Sequence, residues 1–249
     1  MLKEERFRQV LELLEEREFM TVQELSQALA ASMPTVRRDL TELAAQNRLI
    51  RSHGGAMRIN DKSDIALPLD FRRSINAREK AAIAKAAARF IRNDSVIFLD
   101  ASSTAAYLFG YLQEFRNLIV VTNSLMAAIR LRNMGIRTYC LGGEVTLNSG
   151  AVGGQLAMES AACFNIDVMF FSSLGINDSG IIVDPSESEN DLRRHMLSRA
   201  ETAVFLCDKS KFGKSAAFNL APLSDVDILV TDGPVPQHYP GARRETIVV

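Results

Sequence analysis

Apolar residues over the first 58 positions recur at helical spacing three times and then switch to short extended runs. Leu2, Val10, Leu11 and Leu14 predict a first helix from Leu2 to about Glu16. Thr21-Val-Gln-Glu24 is a capping box, and Val22, Leu25 and Leu29 give the helix behind it an apolar face. Ala30-Ala31-Ser32 makes a tight connection. Ser32 is an N-cap, Pro34 is tolerated in the first turn, and Val36, Leu40 and Leu43 form the buried side of a third helix, about Pro34 to Gln46. Leu49-Ile50-Arg51 reads as a strand, His53-Gly54-Gly55 as a hairpin turn, and Ala56 to Ile59 as the return strand. Three helices and a hairpin make a winged helix-turn-helix over residues 1–58. Its third helix is the element that enters a major groove, so operator DNA is the expected partner. Residues 59–73 show no period and contain Pro68, and are read as a linker.

The pattern changes over residues 74–249. An Ala-rich helix, Ala77 to Ile91, precedes six apolar runs separated by helical stretches: Val96–Leu99, Leu118–Val121, Arg137–Leu141, Val168–Leu174, Ala203–Leu206 and Ile228–Val230. Runs apolar at successive positions predict strands buried on both faces, and alternation with helices predicts an α/β domain with a parallel sheet. Polar turns follow the runs: Asp100-Ala-Ser102-Ser103-Thr104, Thr122-Asn123-Ser124, Gly142-Gly143-Glu144, Gly175-Ile-Asn177, Asp208-Lys209-Ser210-Lys211 and Thr231-Asp232-Gly233. Ligands of such sheets bind beyond the carboxyl ends of the strands. Three hydroxyls before a helix from about Ala105 to Leu112 favour an anion at its N-terminus, with Lys209, Lys211 and Lys214 as sources of positive charge. Glu189 and Arg193 lie i,i+4 on a helix from about Ser188 to Arg199, the spacing of a surface pair. There is no nucleophile elbow, no Walker loop, and no dinucleotide fingerprint in Gly150-Ala-Val-Gly153-Gly154.

Charge first counts against a nucleic-acid partner. The 249 residues carry 29 Lys+Arg against 30 Asp+Glu, a net charge of -1. The sum hides a division. Residues 34–58 hold Arg37, Arg38, Arg48, Arg51 and Arg58 against Asp39 and Glu42, whereas residues 1–33 hold four basic and seven acidic residues. The composition, 47% hydrophobic with three cysteines, excludes a disordered chain and a disulfide scaffold. Cys140, Cys163 and Cys207 sit among apolar residues and are expected to be buried reduced thiols. They and the three histidines are too scattered for a metal site. No cofactor is expected. No apolar run is long enough for a membrane span, and the first residues do not read as a signal peptide, so the expected location is the cytoplasm.

Several stretches together resemble the DeoR-type bacterial transcriptional regulators. These are Thr21 to Leu29, Ser32-Met-Pro-Thr-Val-Arg37-Arg38-Asp39-Leu40 and Leu49-Ile-Arg51-Ser-His53-Gly54-Gly55-Ala56. They continue as Lys80-Ala-Ala-Ile-Ala, Phe98 to Thr104, Val121 to Ser124, Leu141 to Glu144, Glu189 to Met196 and Leu206 to Gly213. The resemblance covers nearly the whole chain. It implies a sensor domain with a fold similar to sugar-phosphate isomerases and CoA transferases, a small phosphorylated sugar as effector, and a homo-oligomer, dimer or tetramer. The implied DNA-binding residues are Ser32, Thr35, Arg37, Arg38, Arg51, His53, Gly54, Gly55 and Arg58. The implied effector residues are Lys80, Asp100, Ser102, Ser103, Thr104, Asn123, Ser124, Gly142, Gly143, Glu189, Arg193, Asp208 and Lys211. This chain departs from the family pattern at Ser102 and Ser103, where Gly and Thr are common, and at Arg193, where Lys is common. The function expected is a repressor of a carbohydrate-metabolism operon. The alternative is a sugar-phosphate isomerase with a DNA-binding appendage, using Asp100, Glu189, Asp208 and Lys211.

Overall fold

The structure, a computed structural model, describes residues 2–17, 19–46, 48–51, 54–58, 69–146 and 150–249, with the backbone alone at 58, 70 and 71. The chain divides into two units, Met1–Ile75 and Asn76–Val249.

The first unit contains α1 (Lys3–Arg17), β1 (Phe19–Thr21), α2 (Val22–Ala28), α3 (Met33–Ala45), β2 (Leu49–Arg51), β3 (Gly55–Arg58) and α4 (Leu69–Ser74). The apolar face of α1 is Phe7, Val10 and Leu14, while Leu2 is exposed. These three pack with Val22, Leu25, Val36, Leu40 and Leu43. The predicted capping box forms: Thr21 Oγ1 accepts from the Glu24 amide, and Glu24 accepts from the Thr21 amide. Ser32 caps α3 through the Thr35 amide. Ser32→Ala is expected to lower the stability of this unit by about 1 kcal/mol in a urea melt; an unchanged midpoint would contradict the cap.

The wing differs from the expected two-stranded hairpin. It is a three-stranded sheet, β1-β3-β2, because Phe19–Thr21 pairs antiparallel with β3. That strand is too short for its alternation to show. A Cβ on Gly55 would meet Met20 O at 2.3 Å, so glycine is what lets β1 approach the wing. Of the expected linker, residues 59–68 lie outside the described residues and the rest falls in α4.

The second unit begins with α5 (Ala77–Ala87), which continues as a 3-10 turn at Ala88–Phe90 rather than as α-helix to Ile91. Then come β4 (Val96–Leu99), β5 (Ile119–Thr122), α6 (Leu125–Asn133), β6 (Arg137–Cys140), β7 (Glu144–Val145), β8 (Val152–Gly153) and α7 (Gln155–Ala161). The rest is β9 (Val168–Phe171), β10 (Gly175–Ile176), β11 (Ile181–Asp184), α8 (Glu187–Leu197), β12 (Thr202–Leu206), β13 (Phe218–Pro222), β14 (Ile228–Thr231) and β15 (Glu245–Val248). Seven strands form a parallel sheet in the order β15-β14-β12-β9-β4-β5-β6. Alternate residues face opposite cores. Ile97, Leu99, Val120, Phe170 and Leu206 pack with α5 and α6, and Phe98, Val121, Met169, Phe171 and Phe205 with α7 and α8. A small antiparallel sheet, β10-β11-β13, accompanies them.

β6 is not a doubly buried strand: at the sheet edge, three of its four residues are exposed. For the same reason Cys140 is exposed, as is Cys163 beyond α7, and only Cys207 is a buried thiol. Apolar neighbours in sequence do not guarantee burial at an edge. Strand order reverses on either side of β4: β5 and β6 follow it on one side, while β9, β12 and β14 run outward on the other. This is the switch point at which two successive loops part and leave a crevice.

Candidate functional site

In the first unit, the exposed side of α3 carries Arg37, Arg38 and Thr41, followed by exposed Arg48 and Arg51. The acidic residues of α3 are taken up elsewhere. Asp39 is buried and accepts two hydrogen bonds from Arg6 of α1, at 2.7 and 3.1 Å, and Glu42 pairs with Lys3 at 2.6 Å. Among the described residues, Arg37, Arg38 and Arg48 form no ion pair. The opposed charges of the two halves of this module are therefore joined on one side of α3, and the arginines stand on another. Arg51 Nη1 donates to Thr41 Oγ1, which in turn donates to the Arg37 carbonyl, tying β2 to α3. The Ser32 and Thr35 hydroxyls lie 2.8 Å apart at the N-terminus of α3. Gly54 is exposed beside the wing. His53 and the Arg58 side chain lie outside the described residues.

In the second unit, the loops after β4, β9 and β12 meet at the switch point. Asp100 follows β4 and is buried. Its Oδ1 accepts the Ser102 amide at 3.0 Å, and its Oδ2 accepts the Ser172 amide at 3.3 Å and Arg193 Nε at 3.1 Å. Arg193 is buried in α8 and faces two more carboxylates, with Nη2 2.9 Å from Glu189 and Nη1 3.2 Å from Asp184. The Nη1 contact is an ion contact lying off hydrogen-bond alignment. Burial pulls the Arg193 guanidinium down, but Asp184, Glu189 and Asp100 together drive it well above its ordinary value. One cation thus serves three acids.

The second cluster is cationic. Lys80 of α5 is buried and donates to Ser103 Oγ at 3.2 Å. Lys211 donates to Ser172 Oγ at 2.7 Å and to the Ser173 carbonyl at 2.6 Å. Asp208 lies with both lysines. Burial would raise its carboxyl, yet Lys211, Ser210, Lys80 and Asn76 hold it below the usual carboxylate range. Its contribution to stability is therefore in place above about pH 4 and is lost as pH falls through the lowered value. Thr104 Oγ1, next in sequence to Ser103, and Asn123 Oδ1 are buried without a hydrogen-bond partner. They sit on loops after adjacent, paired strands. Buried polar atoms are normally satisfied, so these two and Thr231 Oγ1, at the end of β14, are unusual groups on this sheet edge.

The predicted residues separate by role. Lys80, Ser103, Thr104, Asn123, Asp208 and Lys211 lie on α5 or on the loops at the carboxyl edge of the sheet. Ser102 is engaged in capping the Ala105 amide and Ser124 in capping α6. The helix after Ser102-Ser103-Thr104 is a 3-10 helix, Ala105–Gly110, so the α-helical N-terminus expected to hold an anion is not formed. Gly143, at φ +139°, is required by packing: a Cβ would meet Gly153 O at 2.4 Å. Gly142 is exposed with open space around it. Lys209 pairs with Asp232 at 3.5 Å, and Lys214 is exposed. The Glu189–Arg193 pair, expected on the surface, is buried. Sequence reasoning misses Asp184, Ser172, Ser173 and Asn76. The two serines fall inside an apolar run, and Asp184 ends a short apolar strand, Ile181-Ile182-Val183, that is not among the six runs singled out. A cavity of about 790 Å³ lies at the opposite edge, by the amino ends of β5 and β6, and its polar lining residues Gln113, Asn117 and Asp94 bond within the protein.

Residues 75–233 match the DeoR C terminal sensor domain and residues 6–62 the DeoR-like helix-turn-helix domain. The chain belongs to the DeoR family. It is a helix-turn-helix transcriptional regulator with a sensor domain. The chain is 34% identical over 93% of its length to the uncharacterized regulator YulB of Bacillus subtilis, covering 90% of that protein. It is 30% identical to the glycerol-3-phosphate regulon repressor of Escherichia coli (95% and 93% covered) and 36% to the L-fucose operon activator of Haemophilus influenzae (88% and 87%). Among solved structures it is similar to a D-ribose-5-phosphate isomerase in complex with phospho-erythronic acid (TM-score 0.42, 21% identity, 55% of this chain and 54% of that one). A likeness of that size says nothing of activity. No described helix is long and apolar enough to cross a membrane.

Proposed function

We propose that this regulator is a repressor of a carbohydrate-metabolism operon whose operator affinity is controlled by a phosphorylated sugar held at the carboxyl edge of the parallel sheet. One observation carries the reading: Lys80, bonded to Ser103, and Lys211 both act on Asp208 at the sheet edge that also carries the orphaned Thr104 Oγ1 and Asn123 Oδ1. Lysines and hydroxyls suit a phosphate. Asn123 Oδ1, an acceptor, suits a sugar hydroxyl. Arg193 holds Asp100 and its neighbours in place and takes no direct part in binding. Two relatives, a glycerol-3-phosphate regulon repressor and an L-fucose operon activator, agree with a carbohydrate-linked role. At the other site, Arg37, Arg38 and Thr35 read bases and the wing from Arg51 to Arg58 holds the DNA backbone. Paired half-sites then require a homo-oligomer. The enzymatic alternative has less support, because Asp100 and Glu189 are both bound to Arg193 and leave no free base at that position.

The test is a melting-temperature screen of the full-length protein against C3 to C6 sugar phosphates and their free sugars. One phosphate ester at a hundred times its Kd should add about 2.7 kcal/mol of stability, or roughly 5–10 °C for a protein of this size. The same ester should change affinity for DNA that the protein selects from a random pool. Equal shifts with the free sugar, or none across the panel, would overturn the reading.

A further inference from the structure

We propose that the Ile75–Asn76 step is the coupling element between the sheet-edge site and the DNA-facing unit, with Asn76 as a positioning residue. The proposal rests on the functional reading above. Ile75 is the last residue of the first unit and packs, with Phe19 of β1 and Ile50 of β2, on Met57 of β3. It is therefore anchored to the wing sheet. Asn76, the next residue, opens the second unit at the N-cap of α5. An N-cap asparagine ordinarily bonds the amides of its own helix. This one makes no cap bond and stands in the left-handed region, φ +51° and ψ +39°. Its Nδ2 donates instead to Asp208 Oδ1 and to Ser210 Oγ, each at 3.0 Å. One turn further along α5, Lys80 reaches Ser103 of the same site. Two residues consecutive in sequence thus make their contacts in different units.

The consequence follows from charge. Asp208 is stabilised by Lys211 and Lys80. A phosphate arriving between those lysines competes with Asp208 for them and repels it. Asp208 then cannot keep the geometry in which it accepts from Asn76. Asparagine tolerates a left-handed backbone better than other non-glycine residues, and here the side-chain tie selects it over the ordinary right-handed or extended alternatives. Loss of the side-chain tie lets Asn76 relax, and Ile75 moves with it. A ligand acts on the wing in this way because it favours one of two arrangements of the tie.

The experiment is a double-mutant cycle on operator affinity, which needs no ligand. DNA selected by the full-length protein is titrated against wild type, Asn76→Gly, Asp208→Asn and the double variant. Glycine at the first position keeps the left-handed backbone while removing the tie, and the amide at the second keeps the shape of Asp208 while removing its charge. Asp208→Asn should shift operator Kd by about 5-fold or more, and in the Asn76→Gly background the shift should fall below about 2-fold. Ser210→Ala, which removes the second acceptor, should show the same dependence on Asn76 and provides an independent cycle. Equal shifts in both backgrounds, or no shift from either variant, overturn the proposal. Failure to select DNA, or a flat sugar-phosphate screen, would instead overturn the functional reading.

Discussion

Replacing Arg193 with Met is expected to lower the stability of the sensor unit by about 3–5 kcal/mol at neutral pH. The guanidinium contacts Asp100, Glu189 and Asp184 from a buried position, and removing it leaves three acids facing one another without a counter-charge. That cost is a large share of the roughly 5–15 kcal/mol by which domains of this kind are stable. Arg193→Lys restores the charge but cannot reach three acids at once, so it should recover only part of the loss. Denaturant melts of both variants at neutral pH check both points. A loss below about 1 kcal/mol for Met would show that the cluster is not held by this cation.

The second large effect concerns the other end of the chain. Arg38→Ala should weaken operator binding by about 1–3 kcal/mol for each DNA-bound head if the guanidinium meets a base edge bidentately. Binding to unrelated DNA should fall less. Arg48→Ala should instead weaken both DNAs alike and lower the salt slope by about one. Anisotropy titrations on selected and unrelated DNA at several salt concentrations separate the two. Unchanged affinity and slope for Arg38→Ala would remove it from the reading set.

The first unit is the more legible in sequence because its signals are local. Caps at Thr21 and Ser32 and the spacing of Val22, Leu25, Val36 and Leu40 lie within a few residues of what they specify. Its wing strand β1 is not legible, since three residues carry no alternation. In the second unit, β4, β5, β9, β12 and β14 show as apolar runs because both their faces are buried. β13 gives no such run; β11 does carry a short one, Ile181-Ile182-Val183, which is not among the six runs singled out, and Asp184 is lost with it. The candidate site is half readable. Asp100, Lys80, Asp208 and Lys211 stand in distinctive turns or motifs. The role of Arg193 is not readable, because i,i+4 spacing to Glu189 describes a surface pair equally well. Its burial depends on Asp100, 93 residues away. The same holds for Asp39, whose partner Arg6 is 33 residues distant and turns a local acidic residue inward.

The charge cluster at the switch point draws on positions 100, 184, 189 and 193, so no fragment ending before α8 contains it. The DNA-facing head, by contrast, is assembled from neighbours in sequence and is complete early in synthesis. A prematurely terminated chain would therefore lose its means of being switched while its head remained intact. In genetic terms, truncations across most of the coding sequence should yield regulators deaf to their signal, whereas only lesions near its start should abolish the head itself.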